Sequence, residues 1–424
     1  MLYERWREVA SGRRNQTALR ELASGRHWTF QQLFTAAESG PALDATIIFP
    51  QGDSSTFILD VLRGWRDGKV VCPLEKDQPA PHVALPPRSC IHLKSTSATT
   101  GVARLAAFTA AQLRADADHI VGTMGLRSDW PNLGVISMAH SYGFSNLVLP
   151  LLLHGIPLVI AGSPLPEIMI RAAAEEPALT LPAVPALWRT WHAAGAIPPN
   201  VRLAVCAGAP LPLSLERSVF ESRRIKIHNF YGSTECGGIA YDTSDAPRTD
   251  ETFAGSPLQG VELSVNAGGC LIVRSGAVGE TYWPEPEDSL EAGRFQTSDL
   301  VELKSDGVHL LGRISDQINV AGRKVPPAII EQAIIQHPSV SDCLVFGAVE
   351  PAAGRGELIV ACVVVKSATT DRALRDYLSA RLPAWQIPRE WWFVESLEPN
   401  QRGKLSRAEW RRRYAEKLRA AKID

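Results

Sequence analysis

Apolar, β-branched runs alternate with amphipathic stretches along the first half of the chain. The runs are ATIIF (45–49), KVVCPL (69–74), LGVISM (133–138), PLVIA (157–161) and RLAVCAG (202–208). Each has the length of a buried strand bounded by turn residues. Between them, residues 54–66 and 110–124 carry apolar positions at helical spacing. Strands that alternate with helices predict parallel sheets covered by helices. After about residue 250 the pattern changes to short strands between Gly and Pro turns: VELSV, CLIVRS, LVELK and VHLLG. These predict a smaller, β-rich part. From about residue 317 the pattern predicts a separate unit: helix 326–336, strand 342–349, strand 358–365, helix 370–381 and a basic tail. The boundary falls at GRISDQ (312–317). The expected fold is therefore α/β. A large N-terminal domain of helix-covered parallel sheets plus a small β-rich part spans 1–312, and a small α+β C-terminal domain spans 317–424.

Composition adds bounds. The 424 residues are 45% hydrophobic and 21% charged, ordinary for a globular chain with a sizeable core. A net charge of −1 gives no bulk attraction to nucleic acid or to an anionic membrane. The greasiest stretch, 147–160, is interrupted by Pro150, His154 and Pro157 and is too short to span a bilayer. The N-terminus, MLYERWREVA, lacks the apolar core of a signal peptide. Seven scattered cysteines form no CxxC and no zinc spacing. A reduced, cytoplasmic protein is expected, with no nucleic-acid partner and no membrane span. Only Cys236 lies near a motif, and it reads as a buried neutral thiol.

Several standard motifs are missing. There is no GxxxxGK[ST], no GxGxxG after a strand and no GxSxG elbow. What remains is STSATTG (95–101), followed by Val-Ala-Arg104. Hydroxyls and backbone N–H groups in such a loop can cradle phosphate, and a nearby Arg adds charge. On this string alone, a Ser/Thr-rich surface loop is an equal reading.

Further motifs follow in order: NFYGSTECGG (229–238), GRFQTSDL (293–300), GRISDQINVAGRKV (312–325) and PNQRGKLSR (399–407). WTFQQL (28–33), FILDVLRGWRDGKVVCPLE (57–75), AGAPL (207–211) and AGSPLQGVEL (254–263) join them. As an ordered set they resemble the adenylate-forming superfamily: acyl- and aryl-CoA synthetases, peptide-synthetase adenylation domains and luciferases. The resemblance spans nearly the whole chain.

The resemblance implies ATP and Mg²⁺ as cofactors and a carboxylic acid as substrate. It implies that Ser95, Thr96, Ser97, Thr99, Thr100, Gly101 and Arg104 hold the β- and γ-phosphates. Thr234 would bind the α-phosphate, and Glu235 would ligate Mg²⁺, a hard carboxylate for a hard ion. Tyr231 would stack on adenine, with Ala207–Ala209, including Gly208 and Ala209, on its other face and Asn229 nearby. Asp299 would accept the ribose hydroxyls, and Arg313 would contact ribose or phosphate. Lys404 would bridge the attacking carboxylate and the α-phosphate, joining Thr234 and His140 as the catalytic set. His140 in SMAHSYGF (137–144) would steer the carboxylate or gate thiol entry. With Phe144, Gly208, Gly232, Gly238 and Ile239 it would line the acyl pocket. A hinge at 313–316, with Ser315 at its centre, would make the C-terminal domain mobile. Coenzyme A, or the phosphopantetheine of an acyl carrier protein, would then take the acyl group. The basic stretch 407–422 would grip an acidic carrier protein or a coenzyme A phosphate, or would simply be a solvated helix.

The chain departs from the family in three places. The phosphate loop has Ala98, Ala103 and Arg104 where Gly, Pro and Lys are usual, and Arg does not reproduce the point charge of Lys. Only about twenty residues separate Pro73-Leu74 from that loop, a trimmed arrangement. Ser315 stands where Asp or Lys is usual. AHSYGF (139–144) holds no acidic residue to grip an ammonium group. That favours a non-amino acid, and a flat aryl acid such as a hydroxybenzoate fits Gly-rich walls. A medium-chain fatty acid is the competing substrate, and a non-catalytic nucleotide-binding relative is the competing class.

Overall fold

The structure, a computed structural model, describes residues 2–96, 104–349, 357–397 and 406–420. The chain divides into two compact units. The first holds Met1–Ser264, Ile272–Thr297 and Leu303–His309. The second holds Val265–Leu271, Ser298–Glu302 and Leu310–Asp424.

In the first unit, the apolar runs become strands of a parallel sheet. Thr17–Glu21, Leu158–Ile160, Asn132–Gly134, Leu179–Ala183, Val201–Cys206 and Ile227–Ser233 lie side by side in that order, parallel throughout. Its margins turn antiparallel: Arg26–Thr29 pairs with Thr17–Glu21, and Gly237–Tyr241 pairs with Ile227–Ser233. A second sheet has Ile47–Ile48, Val70–Val71 and Cys90–Ser95 in parallel, then Leu105–Thr109 and Thr281–Trp283 antiparallel. Parallel strands are buried on both faces, which is why they read as continuous apolar runs. Trp188 and Trp191 are fully buried on one helix and meet edge to face at 5.6 Å in the core.

The two amphipathic stretches are helices Ser55–Arg66 and Ala110–Met124. The second starts at a capping box: Thr109 accepts from the Gln112 N–H, and the Gln112 side chain accepts from the Thr109 N–H. Left-handed Gly125 ends it. Its inner face carries Leu113, Ala117, Ile120 and Met124, and one carboxylate, Asp116.

A buried ion network fastens the end of the main sheet. Lys226 is paired with both Glu216 and Asp242, the latter at 2.6 Å. Arg248 donates to Glu216 at 2.9 Å, to the Leu211 carbonyl at 2.6 Å and to the Phe253 carbonyl at 2.8 Å. The network thus joins helix Leu213–Arg223 to the segment before it and to strand Phe253–Pro257. Burial raises the Asp242 carboxyl, but bonds from Lys226 and Ser244 outweigh it and hold the group below its ordinary value.

The second unit matches its expected order closely. Helix Pro327–Ile335, strand Val340–Val349, strand Glu357–Val365 and helix Asp371–Ser379 are present. A hairpin, Ile318–Val320 with Arg323–Val325, and a parallel strand, Glu390–Phe393, were not foreseen. The sheet is covered on both faces because its side chains alternate. Val345, Ile359 and Val363 pack with Ile330 and Leu374 on one face. Leu344, Phe346 and Cys362 pack with Trp410 and Tyr414 of helix Arg407–Ala420 on the other. Among the described residues, no helix is long and apolar enough to cross a membrane.

Removing one partner from the buried network strands the others. Glu216→Ala should lower the stability of the first unit by about 3–5 kcal/mol, read from the denaturant midpoint. Asp242 has a depressed carboxyl, so its contribution is full above about pH 4, the unfolded value. It fades as the pH falls through the lower folded value, and Asp242→Asn should flatten the acid limb of the stability profile.

Candidate active site

The Thr234–Glu235–Cys236 turn joins strands Ile227–Ser233 and Gly237–Tyr241. The two backbones approach closely there. A β-carbon at Gly232 would stand 2.6 Å from the Gly237 carbonyl oxygen, so only glycine fits. Glu235 is held at two points. Its carbonyl accepts from the Gly279 N–H at 2.8 Å, and its carboxylate accepts from the Tyr282 hydroxyl at 3.0 Å. Burial and the Glu235 charge push the Tyr282 phenol well up, so it stays a donor. Both Thr234 and Glu235 are half-buried.

The loop of 95–104 is described only at its ends. Ser97, Thr99, Thr100 and Gly101 lie outside the described residues. Ser95 ends a strand, and Thr96 is tied to Arg104. The Thr96 N–H donates to the Arg104 carbonyl at 2.8 Å, and the Arg104 N–H to Thr96 Oγ1 at 3.3 Å. The Arg104 guanidinium lies 4.5 Å from the Tyr282 ring centroid and is paired with Glu287. Arg104, Tyr282 and Glu235 therefore form a continuous polar line at the loop base.

The other expected residues of this unit sit at strand ends. Asn229 is buried and donates to the Ala254 carbonyl at 3.2 Å. Tyr231 is half-buried beside Gly232 on the same strand. Gly208 takes a left-handed φ of 88° just after strand Val201–Cys206, with Ala209 next to it. Phe144, Gly238 and Ile239 are buried. Phe144 opens a wide helical turn, Phe144–Val148, within a run that starts at Ser141. Such turns are frequent at functional sites.

His140 precedes that run and has a partner that the motif reading missed. Its Nε2 lies 3.2 Å from a Glu75 carboxylate oxygen. Both Glu75 oxygens also accept from Ser137 Oγ, at 3.1 and 2.9 Å. Asp53 caps the same segment by accepting from the Met138 N–H at 2.7 Å. Burial and the nearby Glu75 raise the Asp53 carboxyl, while the Met138 bond opposes them. Glu75 directly follows Pro73-Leu74, which was the available sequence signal.

In the second unit, Arg313 Nε donates to Asp299 at 2.8 Å, bringing two of the expected residues together. Ser315 lies in the short turn Ile314–Asp316. Arg407, read as part of a basic tail, is a half-buried fork. It reaches Asp316 at 2.9 Å, Glu331 at 2.6 Å and the Val345 carbonyl at 3.1 Å. Burial raises the Glu331 carboxyl against the pull of Arg407. Lys404 lies outside the described residues.

The donor set fits magnesium carried by a nucleotide. Mg²⁺ usually takes one or two carboxylates, with the rest of its shell from phosphates and water. Glu235 is one such carboxylate, anchored but half-buried. Among the described residues, no three His, Cys, Asp or Glu side chains gather into a protein cage.

Comparison with known proteins places the chain. Residues 45–286 match the AMP-binding enzyme family, and residues 329–404 match the AMP-binding enzyme C-terminal domain. The chain belongs to the AMP-binding enzyme family. A Mycobacterium tuberculosis protein named "Probable 2-succinylbenzoate–CoA ligase" is 31% identical over 337 residues, 76% of this chain and 84% of the relative. A feruloyl-CoA synthase of Amycolatopsis is 26% identical over 345 residues, 76% of this chain and 69% of the relative. The o-succinylbenzoate CoA synthetase of Bacillus subtilis, solved with its acyl-adenylate intermediate, shares the fold with a TM-score of 0.82. Its sequence identity is 19%, covering 96% of this chain and 97% of that one.

Cys236 sits in the turn but is fully buried, which pushes its thiol well up and keeps it protonated. N-ethylmaleimide at pH 8 should leave Cys236 unmodified in the folded protein and label it after unfolding. Labelling of the native chain at this site, found by peptide mass, would contradict a purely structural thiol.

Proposed function

We propose that this enzyme is an ATP-dependent carboxylic-acid ligase that makes an acyl-adenylate and then a thioester. The observation that carries the reading is the line Arg104–Tyr282–Glu235 beside Thr234, at the base of a hydroxyl-rich loop. It gathers a cation, a phenol and a carboxylate of the kind that binds magnesium side by side, which supports a triphosphate site. A carboxylate must approach an anionic triphosphate, so the reaction is governed by charge.

In the first half-reaction, a substrate carboxylate oxygen attacks the α-phosphorus of ATP and pyrophosphate leaves. Thr234 donates its hydroxyl to the α-phosphate. Arg104 and the 95–101 loop hold the β- and γ-phosphates. Glu235 would hold magnesium, which would offset triphosphate charge and polarise the phosphorus. Lys404 neutralises the carboxylate and α-phosphate as they meet. Tyr231 and the Gly208–Ala209 segment take the adenine, with Asn229 beside them. Asp299 and Arg313 take the ribose. In the second half-reaction, a thiol attacks the acyl carbon and AMP leaves. Residues 1–312 and 317–424 act as domains that turn about 313–316, withdrawing Lys404 between the two steps.

Coenzyme A is the acceptor supported by the relatives' names, and a carrier-protein pantetheine is the alternative. The acid is an aryl acid such as a hydroxybenzoate. Two observations support this: AHSYGF has no carboxylate for an ammonium group, and two relatives are named for aryl acids. His140, oriented by Glu75, steers the substrate carboxylate or admits the thiol at the edge of a pocket formed by Phe144, Gly208, Gly232, Gly238 and Ile239.

Acid-dependent ATP–pyrophosphate exchange, run against a panel of aryl and alkyl acids, tests the reading. Exchange should be strongest with an aryl acid. Tight ATP binding without exchange for any acid would leave a non-catalytic nucleotide-binding protein instead. Lys404→Ala should reduce exchange by about a thousandfold, the scale of losing one electrostatic contact made in the transition state. The same variant should still convert supplied acyl-adenylate to thioester. Equal loss of both steps would remove the role given to Lys404.

A further inference from the structure

A charged cluster lies beside Phe144 and Gly238. Lys94 and Asp116 are only 4% and 2% exposed. Lys94 Nζ lies 3.4 Å from Asp116 Oδ2 and donates to Ser145 Oγ at 3.1 Å. Ser145 Oγ in turn donates to Asp116 Oδ2 at 2.5 Å. The second Asp116 oxygen accepts from the Gly238 N–H at 3.2 Å. A β-carbon at Gly237 would stand 2.0 Å from that oxygen, so the carboxylate lies directly on the backbone. The Lys94 ammonium also sits 4.8 Å from the Phe108 ring centroid.

The cluster joins four elements of the first unit: strand Cys90–Ser95, helix Ala110–Met124, the turn Phe144–Val148 and strand Gly237–Tyr241. His92 lies two residues before Lys94, on the same strand face. It is fully buried and packs on Phe144 with ring centroids 4.4 Å apart. Burial, with the charge of Lys94, keeps its ring neutral.

We propose that Lys94, Asp116 and Ser145 form the stop of the acyl pocket, limiting the enzyme to compact acids and excluding medium-length alkyl chains. This rests on the ligase reading above and on Phe144 and Gly238 lining its pocket. An apolar floor yields to an incoming chain by small side-chain rotations. This floor does not. A methylene chain that pushed past Phe144 would have to separate a buried ion pair or pack against it without hydrogen bonds, and both are strongly unfavourable. Asp116 cannot swing aside without losing the Gly238 N–H, which is part of the strand itself. A flat, short acid stops in front of the cluster and leaves it intact. The cluster therefore decides between the two candidate substrates by depth. Lys94, Asp116 and Ser145 are specificity-determining residues with no part in the phosphoryl chemistry.

The test is ATP–pyrophosphate exchange with benzoate, hydroxybenzoate, butanoate, octanoate and dodecanoate. Wild-type enzyme should favour the aryl acids over octanoate by roughly a hundredfold in kcat/KM, the scale on which a pocket rejects an ill-fitting apolar group. The double variant Lys94→Ala with Asp116→Ala removes both charges together and opens the floor. Its octanoate-to-benzoate ratio should rise at least about tenfold. The volume-preserving pair Lys94→Met with Asp116→Asn removes the ion pair without opening space, and its octanoate-to-benzoate ratio should also rise, by less than that of the Ala pair. Efficient wild-type exchange with octanoate would overturn the stop while leaving the ligase reading intact. A uniform loss across all acids in the Ala pair, with an unchanged ratio, would also overturn it. Absence of exchange with every acid would instead remove the ligase reading, and the stop with it. Should the Ala pair fail to fold, the wild-type chain-length profile alone decides.

Discussion

The 234–236 turn depends on the distance between two backbones. At Gly232 the strands on either side of it approach until a β-carbon would stand 2.6 Å from the Gly237 carbonyl oxygen. Everything polar nearby is arranged from that contact. Asp116 rests on Gly237 and accepts from the Gly238 N–H, Gly279 grips the Glu235 carbonyl, and Tyr282 holds the Glu235 carboxylate. A turn hung on backbone contacts has little freedom, which suits the phosphate-facing role proposed for Thr234 and Glu235. Glycine serves here by absence, since the missing side chains let the walls of the site be made of main chain.

The second unit uses charge where the first uses contact. Arg407 reaches a carboxylate beside Ser315, a carboxylate on helix Pro327–Ile335 and a carbonyl of the central sheet. One guanidinium with five donors in a planar fork serves three acceptors in different directions. The turn Ile314–Asp316 and the first residue of the last helix are thereby fixed to the same frame.

Much of this was legible in the chain, and the reason is locality. Strand runs such as RLAVCAG and helices such as 110–124 depend on residues close in sequence, so periodicity found them. The 234–236 turn and the Asp299–Arg313 pair lie in short motifs that can be recognised whole. The partners of those motifs were not legible. Tyr282 reaches Glu235 across 47 positions, Glu75 meets Ser137 across 62, and Arg104 meets Glu287 across 183. Nothing in the local composition marks such pairs. Lys94 was hidden for a related reason: a lysine near the end of an apolar strand reads as an exit to solvent, whereas here it turns inward to a carboxylate. Arg407 was hidden among other basic residues, and only burial separates it from them.

The two-sided packing of the small sheet has a consequence for how this protein can vary. Val345 faces one core while Leu344 and Phe346 face the other. Deleting or inserting a single residue within strand Val340–Val349 would send every later side chain of the strand to the opposite layer. Helices wait on both sides, so no solvent face exists to absorb the error. Point changes in this strand can be tolerated by repacking, but changes of length cannot. Natural drift in the unit should therefore accumulate as insertions and deletions at its turns, leaving the strand a fixed ruler among relatives that differ widely elsewhere.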